Sequence, residues 1–242
     1  MNIYKMRKLL VIPTFVLALS GYSYGDSTLS KKFTLDTELN GKINVDYKQT
    51  VYDNGSMSRD SRYTRSGKLL SEIHEEFDSS GIIQSEVLKD YVCGREDLIR
   101  RDGMKIVGTY RNGWGDKLEN YVDEVPPGVT FGSGIFNSIN NSLDILKSGG
   151  KVDLKFYVPE KTDWFTLRLV GWDDVEFNGI PARKVTIEPV SFFLKLFVKS
   201  SYYIIDPNTK IPLAFSGTFP PVTLNCKPMV GVFRFSPLKK KA

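Results

Sequence analysis

A two-residue rhythm of apolar and polar side chains, cut at short intervals by turn residues, confines most of this chain to antiparallel sheet. Ile43, Val45, Tyr47 and Val51 alternate with Asn44, Asp46 and Lys48, the pattern of a strand with one buried face. Asp53-Asn54-Gly55 then supplies a turn, because Asn and Gly tolerate the positive φ of tight hairpins. Similar punctuation recurs at Ser66-Gly67, Ser80-Gly81, Asp102-Gly103 and Asn112-Gly113. The segments between are rich in Ile, Val, Tyr and Phe and run roughly 8–12 residues, which predicts a meander of hairpins. No internal sequence repeat accompanies the rhythm.

The rhythm breaks once. After Pro126-Pro127-Gly128, residues Ile135, Ile139, Leu143 and Leu146 fall on one stripe, predicting an amphipathic helix from about Ile135 to Lys147 that Gly149-Gly150 ends. Ser133 is a candidate N-cap. Alternation resumes with Val152, Leu154, Phe156 and Val158, then Phe165, Leu167 and Leu169. Asn178-Gly179 and Asp206-Pro207-Asn208 mark turns, Pro220-Pro221 closes a run, and Met229–Phe235 supplies a last strand. The expected fold class is α+β: one domain over residues 26–242, a large curved antiparallel sheet, half-barrel-like, with one principal helix packed on it.

Residues 1–25 carry a different signal. Lys5, Arg7 and Lys8 precede the apolar run Leu9–Leu19, and Ser23-Tyr24-Gly25 places small residues where a signal peptidase reads. A run this short falls well below the roughly 20 residues of a membrane-spanning helix, so an exported, soluble protein beginning near Asp26 is expected. Tyr22 follows Leu19-Ser20-Gly21 where a lipoprotein would have its acylated cysteine. Three of the 33 Lys and Arg, and none of the 28 Asp and Glu, lie in this segment, so the formal +5 of the chain becomes +2 after cleavage. Such a balance argues against nucleic acid as a partner. The Lys239–Lys241 tail is a solvated run or a contact for an anionic membrane surface.

The two cysteines, Cys93 and Cys226, are too few for a closed thiolate zinc site. Export makes a disulfide between them plausible, but their separation in sequence leaves the pairing open. Catalytic patterns are missing. His74, the single histidine, sits in a strand-like stretch and reads as a surface residue. Gly132-Ser133-Gly134 reads as loop and cap, and Gly113-Trp114-Gly115 lacks the lysine and helix of a phosphate loop. The carboxylates Glu75-Glu76, Asp123-Glu124 and Asp173-Asp174 are adjacent, so on strands they face opposite sides. Carboxylates meeting from different strands stay open. Neither metal nor cofactor is expected.

Ser191–Lys199 stands apart: Phe192/Leu196 and Phe193/Phe197 pair at helical spacing, with Lys195 and Lys199 on another face. It can cover the core, form an apolar lip over a cavity or membrane-touching patch, or continue as a strand.

From Ser133 to Val222 the chain resembles a family of uncharacterised exported proteins of Gram-negative bacteria. The resemblance rests on Leu143-Asp144-Ile145-Leu146-Lys147-Ser148-Gly149-Gly150, on the strand Val152–Val158 closed by Pro159, and on Phe165-Thr166-Leu167-Arg168-Leu169. Val185–Ser191, Tyr203-Ile204-Ile205-Asp206 and Pro212-Leu213 follow in the family's order. Leu143-Asp144 departs from the family's Trp-Asp, and Lys199-Ser200-Ser201 from its Asp-Pro. The family brings no assigned activity, so no catalytic residue carries over. Its strand pattern is similar to that of LolA/LolB-like half-barrels, which implies a concave sheet and helix around an apolar cavity.

The expected function is therefore non-catalytic: a periplasmic protein holding an apolar or lipid-like ligand, lined by Phe156, Phe165, Leu167, Phe192, Phe193 and Phe197. An envelope structural or interaction protein with a filled core is the alternative. A hydrolase built on carboxylates from different strands, 5–10 Å apart in a polar cleft, is the third reading.

Overall fold

The computed structural model describes residues 27–37, 41–192, 200–208, 212–224 and 226–237. Eight strands come first: β1 (Ser27–Thr37), β2 (Gly41–Val51), β3 (Met57–Arg65), β4 (Lys68–Phe77), β5 (Ile83–Asp90), β6 (Glu96–Asp102), β7 (Lys105–Arg111) and β8 (Glu119–Glu124). The short β9 (Val129–Thr130) leads into the helix α1 (Gly134–Lys147). Then come β10 (Val152–Val158), β11 (Asp163–Phe177), β12 (Ile180–Pro189), β13 (Ser201–Ile205), β14 (Pro212–Leu224) and β15 (Lys227–Pro237). All lie in one sheet, ordered β8-β7-β6-β5-β4-β3-β2-β1-β15-β14-β13-β12-β11-β10-β9. The fold is an α+β half-barrel: one large, curved, non-closed antiparallel sheet with a single helix among the described residues.

Each hairpin reverses the chain, so neighbouring strands run antiparallel. The pair β9–β10 is parallel, and a parallel pair requires a crossover, which α1 supplies. The helix thus lies where the chain stops building outward from β1 and starts back toward it. Gly149 and Gly150 end it as the sequence predicts: their N–H groups donate to the carbonyls of Leu146 (3.0 Å) and Ile145 (2.9 Å), with Gly149 at φ +80°. Pro220-Pro221 does not end a strand. β14 runs through it, and its register against β15 shifts between Phe219 and Thr223, a place where proline costs the ladder little.

Curvature can be measured through one bond. Cys93 lies in the β5–β6 turn and Cys226 in the β14–β15 turn, at least five strand spacings apart, or about 24 Å on a flat sheet. Their Cα atoms are 5.2 Å apart and their sulfurs are bonded. The sheet has therefore curled until its two halves face one another, as a sheet this wide must to remain a packed structure.

The main core fills that curl. The α1 stripe of Ile135, Phe136, Ile139, Leu143 and Leu146 packs with Leu35, Val45, Tyr63, Leu167, Val185, Tyr203 and Phe215 from seven strands. A smaller cluster, Phe77, Ile83, Ile99, Ile106, Tyr121, Val129, Phe131 and Tyr157, joins strands β4–β8 of one half of the sheet to β9 and β10 at its other edge. There β8 and β9 stay unladdered although four residues join them. Side chains bridge this seam: the Tyr157 hydroxyl donates to Asp123, Arg101 donates to the Val129 carbonyl, and the Tyr121 and Tyr157 ring centroids are 6.0 Å apart.

Candidate functional site: a polar row inside the barrel

Register places an inward-facing polar row across the first half of the sheet. Gln49 of β2 stands opposite Arg59 of β3, Arg59 opposite Glu75 of β4, and Glu75 opposite Glu86 of β5. All four are buried, Glu75 at 1% and Glu86 at 6% exposure. Glu75 and Glu76 do face opposite sides, as alternation requires, since Glu76 is exposed. The partner of Glu75 is the carboxyl directly across the ladder.

The start of α1 closes over the row. Ser133 precedes the helix, but its side chain makes no capping bond. Glu75 acts instead: its Oε1 accepts the Ser133 N–H at 2.9 Å, placing a carboxylate at the positive end of a 14-residue helix. Arg59 reaches the same turn, donating to Ser133 Oγ (3.4 Å) and Asn137 Oδ1 (3.2 Å), with its guanidinium 4.2 Å from the Phe77 ring centroid. Glu86 lies against Gly132, where a methyl group would stand 1.8 Å from Glu86 Oε2. Gly132 also has φ +51°, so both conformation and space require glycine.

Two carboxyls in hydrogen-bonding reach and out of water do not both ionise. Burial raises the Glu86 pKa well above the carboxylate range, and the negative charges of Glu75 and Asp97 push it further. Burial raises Glu75 as well, while the Arg59 charge and the Ser133 bonds pull it back. The charge thus rests on Glu75 and the proton on Glu86. Glu75 Oε2 and Glu86 Oε2 have no N–H or hydroxyl partner among the described residues, and the proton held by Glu86 supplies the donor this pair lacks. A second group adjoins: Arg95 donates to Asp97 Oδ2 (3.0 Å from Nε, 2.5 Å from Nη2) and pairs with Glu160 at 2.9 Å.

The row can hold and release a proton. Its carboxyls stand directly across the β4–β5 ladder from one another and are both sealed from solvent, rather than lining the open polar cleft that glycoside hydrolysis uses. His74 stands outside the row, half-exposed and 2.7 Å from Asp60 Oδ1. Among the described residues no three or more His, Cys, Asp or Glu are grouped to hold a metal ion, and no helix is long and apolar enough to cross a membrane.

No family model matches the chain, and no curated protein matches it. It is similar to the crystal structure of a beta-barrel-like protein of domain of unknown function DUF1849 from Brucella abortus. The likeness covers 90% of this chain and 98% of that one, at 8% identity and a TM-score of 0.49.

The predicted ligand-lining residues do not converge on the polar row. Phe156 and Leu167 belong to the main core, and Phe165 is half-buried against it. Phe192 is 71% exposed, and Phe193 and Phe197 lie outside the described residues. The Glu75–Glu86 contact is the feature the sequence reading missed. Its one signal was a charged residue on the apolar parity of a strand: Ile73, Glu75 and Phe77 share a face, as do Glu86 and Leu88.

Proposed function

We propose that this chain is an exported, non-catalytic envelope protein that works through its outer surface, with its barrel interior filled by its own helix. The observation that carries the reading is the packing of α1. All five stripe residues are at most 1% exposed and share one cluster with the strand residues of the concave face, including Phe156 and Leu167. A channel wide enough for an alkyl chain admits water-sized probes and leaves accessible area on its walls; these side chains have almost none. Large apolar side chains that stay accessible, such as Leu98 and Val122, lie on the outward face of the sheet. The amino-terminal segment and the resemblance to exported Gram-negative proteins support a periplasmic location. The sealed carboxyl pair supports a role without catalysis.

The test is native mass spectrometry on protein purified from a periplasmic extract without detergent. The expected result is a polypeptide starting near Asp26 with no bound small molecule. A stoichiometric apolar adduct, identified by lipid extraction, would overturn this reading in favour of the lipid-binding one.

A further inference from the structure

We propose that the Glu75–Glu86 pair is a one-proton latch on the barrel: with the proton, it clamps the Gly132 loop and the start of α1; without it, that end of the helix loosens. The geometry carries the argument. Glu75 is bonded to the first turn through the Ser133 N–H, and Glu86 sits directly across the ladder, in contact with Gly132. The two residues that fix the loop are thus the two that share the proton. Ionising Glu86 sets two like charges side by side in a site closed to water. The cheapest relief is to lift the loop and admit solvent, because the strands are held by their ladders and the loop is not.

The surroundings favour one proton and oppose none. From β3, Arg59 neutralises Glu75. From β6, Asp97 adds a second negative charge near Glu86. Arg95, in the β5–β6 turn, is the cation that favours ionised Glu86, but Asp97 and Glu160 already engage it. Tyr47 of β2, Tyr63 of β3 and Tyr121 of β8 face the pair and keep their protons, since burial raises each of them. Ser133, just before α1, and Asn137 of α1 are neutral. With the proton in place, the six charged or acidic side chains Arg59, Glu75, Glu86, Arg95, Asp97 and Glu160 sum to one negative charge; without it, to two.

The direction of the pH effect follows. An unfolded glutamate ionises near pH 4.3, whereas folded Glu86 keeps its proton above that. The folded state therefore binds more protons, and its stability falls as pH rises from there through the folded pKa. The experiment is amide exchange of residues 132–139, with melting followed by near-ultraviolet dichroism, from about pH 4.5 to 8.5 in wild type and Glu86→Gln. Glutamine keeps the donor and the shape but cannot ionise. We expect opening of 132–139 in the wild type to rise up to about tenfold per pH unit, the limit for one proton, after correction for intrinsic exchange. Glu86→Gln should lose that one-proton slope and melt higher than wild type at the alkaline end. Parallel pH profiles for the two proteins would overturn the latch. An infrared spectrum of the wild type at about pH 6, where ordinary carboxyls are almost wholly ionised, must also show a protonated-carboxyl band, and its absence would overturn the proposal even if the variant failed to fold.

Discussion

Gly132 and Gly149 bracket α1, and their substitution costs should differ for a reason visible at each Cα. Both have positive φ, +51° and +80°. Around Gly149 a methyl group meets nothing within 4 Å, whereas at Gly132 it falls on the Glu86 carboxyl. Gly149→Ala should cost about 1 kcal/mol, the left-handed penalty alone. Gly132→Ala adds the displacement of a buried, paired carboxyl and should cost about 3 kcal/mol or more. Urea unfolding of the two variants checks the ordering; equal costs would remove the Glu86 contact from the argument. Arg59 shows why this row tolerates burial. Its guanidinium faces Glu75, bonds the helix start through both terminal nitrogens and stacks on Phe77, so charge and apolar surface are matched and only Nε is left without a partner among the described residues.

Elements inherit their stability from what they cover. The first turn of α1 is held by a carboxylate from β4, so the helix depends on the sheet for its cap as well as for its buried face. Ile139 is fully buried at mid-stripe, and Ile139→Ala should cost about 2–5 kcal/mol through the cavity it leaves. Loss of near-ultraviolet dichroism at lower denaturant would show it. A cost below about 1 kcal/mol would mean that the helix is loosely seated, which would weaken the filled-core reading as well. Strand β8 ends the sheet beside β9 without a ladder, and the bonds of Tyr157 and Arg101 across the seam do the joining that backbone does elsewhere.

At the scale of the whole molecule, the disulfide joins turns from opposite halves of the sheet. Residues 133 apart in sequence are bonded, and closing so long a loop removes on the order of 4–5 kcal/mol of unfolded-state entropy in the chain-entropy model. Replacing both cysteines by serine should lower unfolding stability by up to that amount while secondary structure survives, because each ladder is independent of the bond. An unchanged denaturation midpoint would show that the bond constrains little.

Strands and helix were legible from residues near in sequence, since period two, turn residues and a four-residue stripe are local properties of a chain. Helix α1 spans Gly134–Lys147 against a predicted Ile135–Lys147, and Gly149-Gly150 stops it by the bonds glycine permits. The polar row was not legible in this way. Glu75 and Glu86 look like two unrelated acids, and only the β4–β5 register, set by the Asp78–Ile82 turn and the irregularity between Glu76 and Phe77, puts them face to face. The same holds for Ser133, whose cap comes from a residue 58 positions away. The sequence by itself determined that this chain builds an antiparallel sheet with one helix, because alternation dictates which face of each strand avoids water. Tertiary structure decided which charges share that face, because contact between strands depends on register and curvature, and neither is a property of any one segment.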